Sequence, residues 1–501
     1  MNTNNSELYT IYCELMQKAA DINYASAVLG WDQEVYMPPK GADARARQLS
    51  TLAGQAHEIL TSDKLEQVLK QLSATTGLTD TEQSNVRLSL QDLEKNKKLS
   101  PAFVEELSKQ QSECFNAWIE ARRKNDFSVF APSLTKMVAL KKKQAELYGY
   151  KENAYDALLD DYEKDATVAM LDPIFNGIQE QLPPILDKIK AVAQVDDSFF
   201  NLHFPKQQQW DFSLVVLKQM GFDFEACRQD YSEHPFTTSF APTDVRITTR
   251  VDEDNYNSML WSCIHEGGHG LYEQGLPYDQ YGLPLGSPVS LGIHESQSRM
   301  WENCIGRGLD FWKFFYPQLQ NVFPEQLGTV SPDAFYKAAN KVAPSFIRTE
   351  ADELTYHFHV MIRYEIEKAL MDGSLSVKDL PAKWNEMYGK YLGITPADDK
   401  TGVLQDVHWS HGSFGYFPTY TLGSFYAAQF YSKMEEDIKD LPQLVATGEL
   451  APLLQWLREK VHIHGRRYNS EELCERITGK KLDPSYFIRY AEAKFKGIYG
   501  I

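Results

Sequence analysis

Residues 265–269 read His265-Glu266-Gly267-Gly268-His269. Two histidines four apart share one face of a helix, so both imidazoles can reach a single ion. The glutamate between them is then placed to take a proton from a water at that ion. This is the spacing of a metal-activated hydrolytic centre. With 12 histidines in 501 residues, chance supplies on the order of 0.02 such matches. Gly267, Gly268 and Gly270 sharpen the reading. Each costs a helix about 1 kcal/mol relative to alanine, and a helix that only packs has little use for three of them. Without side chains they let another segment come close. The neighbouring 244–251 segment, or a substrate, is the expected visitor.

Two histidines need a third protein ligand, with a fourth position left for water. Glu273 follows His269 by four residues, but it lies about 5.4 Å further along the helix. That suits support better than ligation. Glu295, in His294-Glu295-Ser296-Gln297-Ser298, begins what reads as a second helix running through Trp301. A crossing helix can offer a carboxylate from another direction. Glu302 stands two turns later on the same helix. Spacing alone leaves Glu295 and Glu302 both open.

These residues need a scaffold, and most of the chain reads as helix. Leu8, Ile11, Tyr12, Leu15 and Ala19 recur at helical spacing over 7–28. Ser100-Pro101 opens a helix to about Arg123, with serine as cap and proline in the first turn. Further helices are expected over 134–147, 167–192 (broken at Pro183-Pro184), 331–342, 349–372, 421–438, 450–463 and 484–496, and from near Asn255. The clearest strand is 244–251, where Val245, Ile247, Thr249 and Val251 alternate with polar residues. No repeat, low-complexity segment or linker divides the chain. The expectation is a single unit over 1–501, mainly α, with a small sheet beside the motif helix.

Composition narrows the function. Lys plus Arg number 51 and Asp plus Glu 69, a net charge of −18. That argues against a primary role on nucleic acid or an anionic membrane. Cys13, Cys114, Cys227, Cys263, Cys304 and Cys474 form no CxxC pair, so neither a disulfide framework nor a thiolate zinc site is indicated, and a reducing compartment fits. No membrane span is expected, and the N-terminal MNTNNSELY does not read as a secretory leader. The longest uncharged run, Val407 to Ser432, is rich in tyrosine and phenylalanine and reads as core or pocket lining.

Six segments occur in order: His234-Pro235-Phe236; Asp244-Val245-Arg246-Ile247-Thr248; His265 to His269; His294-Glu295-Ser296-Gln297; Ile347-Arg348-Thr349-Glu350-Ala351-Asp352; and Gly402-Val403-Leu404-Gln405-Asp406-Val407-His408-Trp409. Together they resemble the carboxypeptidase Taq family of metallocarboxypeptidases. Gly30-Trp31-Asp32 and Met37-Pro38 agree less specifically. The resemblance spans nearly the whole chain and departs at no defining position. It implies a two-lobed helical body with a deep central groove, like the neurolysin-type peptidases. It implies removal of single residues from peptide C-termini with broad specificity, by a cytoplasmic homodimer. It implies one zinc ion, or cobalt as in some relatives, held by His265, His269 and Glu295, with Glu266 as general base.

An enzyme acting at a C-terminus must recognise a free carboxylate, which suits the planar fork of arginine. Arg348 and Arg246 stand in the signatures. Each has a plain alternative as an ion pair: Arg348 with Glu350 or Asp352, Arg246 with Asp244. The resemblance makes Arg348 the carboxylate clamp and Arg246 a second contact at the closed end of the groove. A tetrahedral oxyanion needs a donor besides the metal. Tyr420 and His408 are candidates, with His411 competing with His408 and simple core packing as the alternative. His234 contacts substrate or shapes the groove, unless it only packs. Asp352 and His294 are candidates to support the metal-binding histidines. His357/His359 and His462/His464 lie two apart and lack ligand spacing. The nearest rival is an oligopeptidase or dipeptidase of the same helical group, indifferent to a terminal carboxylate. A non-catalytic peptide-binding protein with a structural metal is the distant one, and an intact Glu266 argues against it.

Overall fold

The computed structural model describes residues 3–501. Helices dominate it, as expected, around one small sheet. That sheet has three strands: β1 (Cys227–Tyr231), β2 (Thr237–Ala241) and β3 (Asp244–Thr249). The order is β1-β3-β2, with β3 parallel to β1 and antiparallel to β2. Cys227 pairs with Val245 on one side, and Thr237 with Ile247 on the other. Val245 and Ile247 are fully buried, which is why β3 alone showed a clean alternation. The edge strands are five residues each and largely polar, so they left no such signal.

Several helices begin and end where local chemistry dictates. Pro101–Lys124 starts at Ser100, whose Oγ accepts the Phe103 N–H. The first helix is longer than expected, Thr3–Val35. Two expectations are corrected. The helix Val168–Lys190 runs unbroken through Pro173, Pro183 and Pro184. Each proline costs about 3 kcal/mol. Leu171, Ile174, Phe175, Ile178, Leu182, Ile185, Leu186 and Ile189 bury one face, and each contributes about 1.5–3 kcal/mol, so packing wins. The helix expected from 349 begins instead at Tyr356. Asp352 explains the delay: its carboxylate accepts the N–H groups of Leu354, Thr355 and Ala343 and the Thr355 hydroxyl. It caps the start of the helix and does not support a metal-binding histidine.

Two apolar cores are present among the described residues. The larger draws on residues from Cys114 to Ile498. The smaller packs Tyr12, Leu65, Leu69, Leu72, Val86 and Leu93 with Leu283. The large core contains the contact that matters for chemistry. The motif helix (Met259–Glu273), a crossing helix (Leu291–Arg299) and a long helix (Pro418–Asp437) meet there. A Cβ at Gly268 would sit 2.7 Å from Ser298 Cα and 2.8 Å from the Gln297 carbonyl oxygen. A Cβ at Gly423 would collide with the Glu295 side chain. Gly270 admits Phe222 and, on β3, Ile247; Gly267 admits Leu217. The glycines therefore admit the expected strand at one position and neighbouring helices at the others.

Gly268→Ala is expected to lower stability by about 1–3 kcal/mol, because the clash is with backbone. Gly54, inside the helix Ala42–Leu60, meets nothing within 4 Å. Gly54→Ala should stabilise by about 0.5–1 kcal/mol. Urea titrations of both variants check this, and equal midpoints would show that the helices do not need the close approach.

Candidate active site

His265 and His269 project from one face of the motif helix toward the crossing helix. Glu295 Oε2 lies 3.5 Å from His265 Nε2 and 3.3 Å from His269 Nε2. One donor atom from each of the three residues lies within 4.8 Å of the other two. Glu302 does not join them. Its Oε2 lies behind His265, 2.9 Å from Nδ1. The cause is local: the helix changes winding after Arg299, and Met300–Gly306 forms a π-helix. Regular α-winding would return residue 302 to the face of residue 295 after about two turns. The wider π turn rotates it away.

Arg299 ties the two glutamates together. Its Nε lies 2.7 Å from Glu295 Oε1 and its Nη1 3.2 Å from Glu302 Oε2. Burial opposes ionisation of both carboxyls, yet Arg299 and His265 hold both well below the usual range. Burial also depresses His265, but Glu295 and Glu302 lift it to about 10. Burial and the adjacent His294 press His269 down to about 3. One carboxylate facing two imidazole nitrogens calls for a single shared cation, a proton or a metal ion. Two nitrogens and one oxygen make the donor set of a three-ligand catalytic site, so these residues fit a divalent ion.

Glu266 points to the same space. Its Oε2 accepts the Thr237 hydroxyl at 2.6 Å, and that hydroxyl also lies 3.2 Å from the Glu266 carbonyl oxygen. Burial raises the Glu266 carboxyl above its ordinary value. Sequence reasoning missed Thr237; the available signal was its place directly after His234-Pro235-Phe236. His234 itself is exposed, and its carbonyl accepts the Ser232 hydroxyl. Thr248 braces this turn by accepting the Phe236 N–H at 2.9 Å.

Beyond the three donors lies an arginine cluster. Arg348 Nε lies 3.0 Å from Asp406 Oδ1, and Nη1 donates to the Tyr356 hydroxyl at 3.0 Å. Neither Glu350 nor Asp352 pairs with it, because both lie on the capping turn while Asp406 reaches Arg348 from a distant loop. Arg363 shares Asp406 at 2.6 Å and also donates to Gln405 Oε1 at 2.7 Å. The Arg348 guanidinium lies 4.7 Å from the Tyr420 ring centre. Tyr356 joins the two halves of the site. Its hydroxyl serves Arg348, and its ring lies 4.4 Å from the Arg299 guanidinium. Arg299, Tyr356 and Arg363 were not singled out from sequence, whereas Gln405 and Asp406 stood inside a signature.

His408 Nε2 lies 3.2 Å from the Tyr420 hydroxyl. Burial and Arg348 press His408 down to about 3, and burial pushes Tyr420 well above its ordinary value. His411 is exposed and packs on Phe115 at 5.0 Å, so His408 is the one that faces Tyr420. Arg246 pairs with Asp244 at 3.1 Å, and its guanidinium lies 4.3 Å from Trp31 and 4.9 Å from Phe240. His294 contacts His269. His357 and His359 are buried against Thr421 and Tyr388, a structural role as read.

A His-Glu-x-x-His helix crossed by a carboxylate-bearing helix, in a mainly α body, defines a helical metallopeptidase. The profile of the family described as Carboxypeptidase Taq (M32) metallopeptidase matches residues 11–495. The chain belongs to that family. It is 41% identical over 490 residues to Carboxypeptidase 1 of Bacillus subtilis, covering 97% of this chain and 98% of that protein. It is 41% identical over 508 residues to Thermostable carboxypeptidase 1 of Thermus thermophilus, covering 98% and 99%. The crystal structure of the M32 carboxypeptidase from Deinococcus radiodurans R1 superposes with a TM-score of 0.97 at 37% identity, covering 99% and 100%. The protein is a metal-dependent carboxypeptidase, a peptide hydrolase. Among the described residues no helix is long and apolar enough to cross a membrane.

Asp406 makes the stability of this cluster depend on pH. Burial resists its charge, but Arg363 and Arg348 hold it well below the usual carboxylate range. Its folded value lies below the unfolded one, so the stability it supplies is present above about pH 4 and is lost as pH falls through the folded value. Asp406→Ala strands two buried guanidinium groups and should cost about 3–5 kcal/mol at pH 7. Thermal or urea unfolding measures this; a loss confined to a few tenths would mean the arginines find other partners.

Proposed function

We propose that this protein removes one residue at a time from free peptide C-termini, with broad side-chain tolerance, using a zinc or cobalt ion bound by His265, His269 and Glu295. The convergence of those three donors beside Glu266 carries the reading. Held by His265, His269 and Glu295, a divalent ion would supply Lewis acidity, which would polarise a scissile carbonyl and lower the pKa of water. Glu266, steadied by Thr237, takes the water proton and passes it to the leaving amine. Tyr420 retains its proton, because burial raises it far above neutrality. The His408 Nε2–H donates to the Tyr420 oxygen, which frees the phenolic O–H to meet the developing oxyanion.

Arg348 takes the terminal carboxylate. Its Nε and Nη1 are fixed by Asp406 and Tyr356, while Nη2 has no protein partner among the described residues. The guanidinium is thus preoriented with one edge available. Arg246 is a second contact at the end of the groove, and His234 borders it. The larger core draws on residues 114 to 498 and the smaller joins the N-terminal helices to Leu283, which supports a single peptidase unit over 1–501. A cytoplasmic homodimer completes the proposal.

The test is a free-acid peptide and its C-terminally amidated twin, digested with zinc or cobalt and with chelator. A ladder of single losses from the free acid alone, abolished by chelator, is expected. Internal cuts in both peptides would overturn the exopeptidase reading. Glu266→Gln should keep its metal and lose on the order of 100-fold or more in kcat. Arg348→Ala should raise KM with metal retained, and unchanged kinetics would remove it from the site. Tyr420→Phe should lower kcat by more than it alters metal content.

A further inference from the structure

The two histidines of the motif are held from behind in different ways. His265 Nδ1 meets a carboxylate directly, Glu302 Oε2 at 2.9 Å. His269 Nδ1 meets a second imidazole, His294 Nδ1 at 2.5 Å, and His294 Nε2 lies 2.8 Å from Glu273 Oε1. Two ring nitrogens at that separation can share only one proton between them. We propose that His294 and Glu273 form a relay that sets the tautomer and ring angle of His269, and so act as positioning residues for metal binding. The inference rests on His269 being a ligand.

Only one placement of protons serves that purpose. His269 Nε2 faces Glu295 at 3.3 Å and must keep its lone pair to bind an ion. The His269 proton therefore sits on Nδ1 and is donated to His294 Nδ1. The His294 proton then sits on Nε2 and is donated to Glu273. Reversing the chain would turn a lone pair of His294 toward the Glu273 carboxylate and put a proton on His269 Nε2, where it blocks ligation. The carboxylate at the far end makes the productive order the favoured one.

The construction uses only the two helices that supply the ligands. Glu273 follows His269 by four residues on the motif helix, so both lie on one face. His294 directly precedes Glu295 on the crossing helix and fills the gap between them. The side chains of His269, His294 and Glu273 are 15%, 16% and 14% exposed, and the Tyr272 ring packs edge-on against His294 at 5.2 Å. Little water competes for these bonds, and the His294 ring is held in place.

The experiment is zinc affinity by chelator competition on the full chain. It compares wild type with His269→Ala, His294→Phe, Glu273→Leu and Glu273→Gln, with circular dichroism of each apoprotein as a check on folding. His294→Phe and Glu273→Leu should weaken zinc binding on the order of 10- to 100-fold. Glu273→Gln keeps the shape and an acceptor oxygen and should recover most of that loss. If His269→Ala binds zinc like wild type, the ligand reading itself fails. If His269→Ala loses zinc while Glu273→Leu and His294→Phe bind it normally, the relay is overturned and the ligand reading stands. An equal loss in Glu273→Gln and Glu273→Leu would also overturn it. The zinc-loaded wild type, labelled with 15N-histidine, gives a readout free of folding effects: NMR should show His294 protonated at Nε2, and protonation at Nδ1 would contradict the relay.

Discussion

One buried carboxylate facing two imidazoles is the constraint around which the rest is arranged. Removing Glu295 from water is unfavourable unless opposite charge and hydrogen bonds compensate it. Arg299 supplies the charge from four residues on, and Ser298 adds a hydroxyl at 3.1 Å. Distance is as demanding as charge. The crossing helix must come close enough for Oε2 to meet both Nε2 atoms, and it does so where Gly268 and Gly423 remove side chains on either side of it. The helix-breaking cost of glycine is accepted at the positions that set the spacing of the donor atoms.

The second charged cluster follows the opposite logic. Arg348 and Arg363 share one carboxylate, Asp406, so two buried cations face a single anion. The surplus is positive, inside a chain whose net charge is −18. A local field of that sign, in a low-dielectric surround, favours an anionic group of the ligand and disfavours a cationic one. Tyr356 lies between this cluster and Arg299, so both depend on one aromatic ring.

What the sequence made legible depended on how local the signal was. His265, Glu266 and His269 could be read from spacing, since a helix face is a local property. Between Glu295 and Glu302 spacing was silent, and the resemblance to a family favoured Glu295. The deciding geometry, a change of helical winding after Arg299, leaves no mark in composition. Thr237 reaches Glu266 across 29 residues as a lone threonine with no periodic partner. The prolines at 183 and 184 misled for a related reason: a sound local rule was outweighed by eight buried side chains on the same helix. The ion-pair alternatives for Arg348, Glu350 and Asp352, were wrong, because its partner arrives from 58 residues away.

The π-helical turn of Met300–Gly306 has an evolutionary corollary. Its extra residue separates Glu295, on one side of His265, from Glu302 on the other. Deleting Met300 or Trp301 from it would restore regular winding and rotate the remainder, Glu302 included, by about 100°. Glu302 would leave His265 even though every amino acid of the site survived. A lineage is therefore expected to exchange residues through this stretch far more freely than it gains or loses them, because the count between Glu295 and Glu302 sets which side of His265 each carboxylate meets.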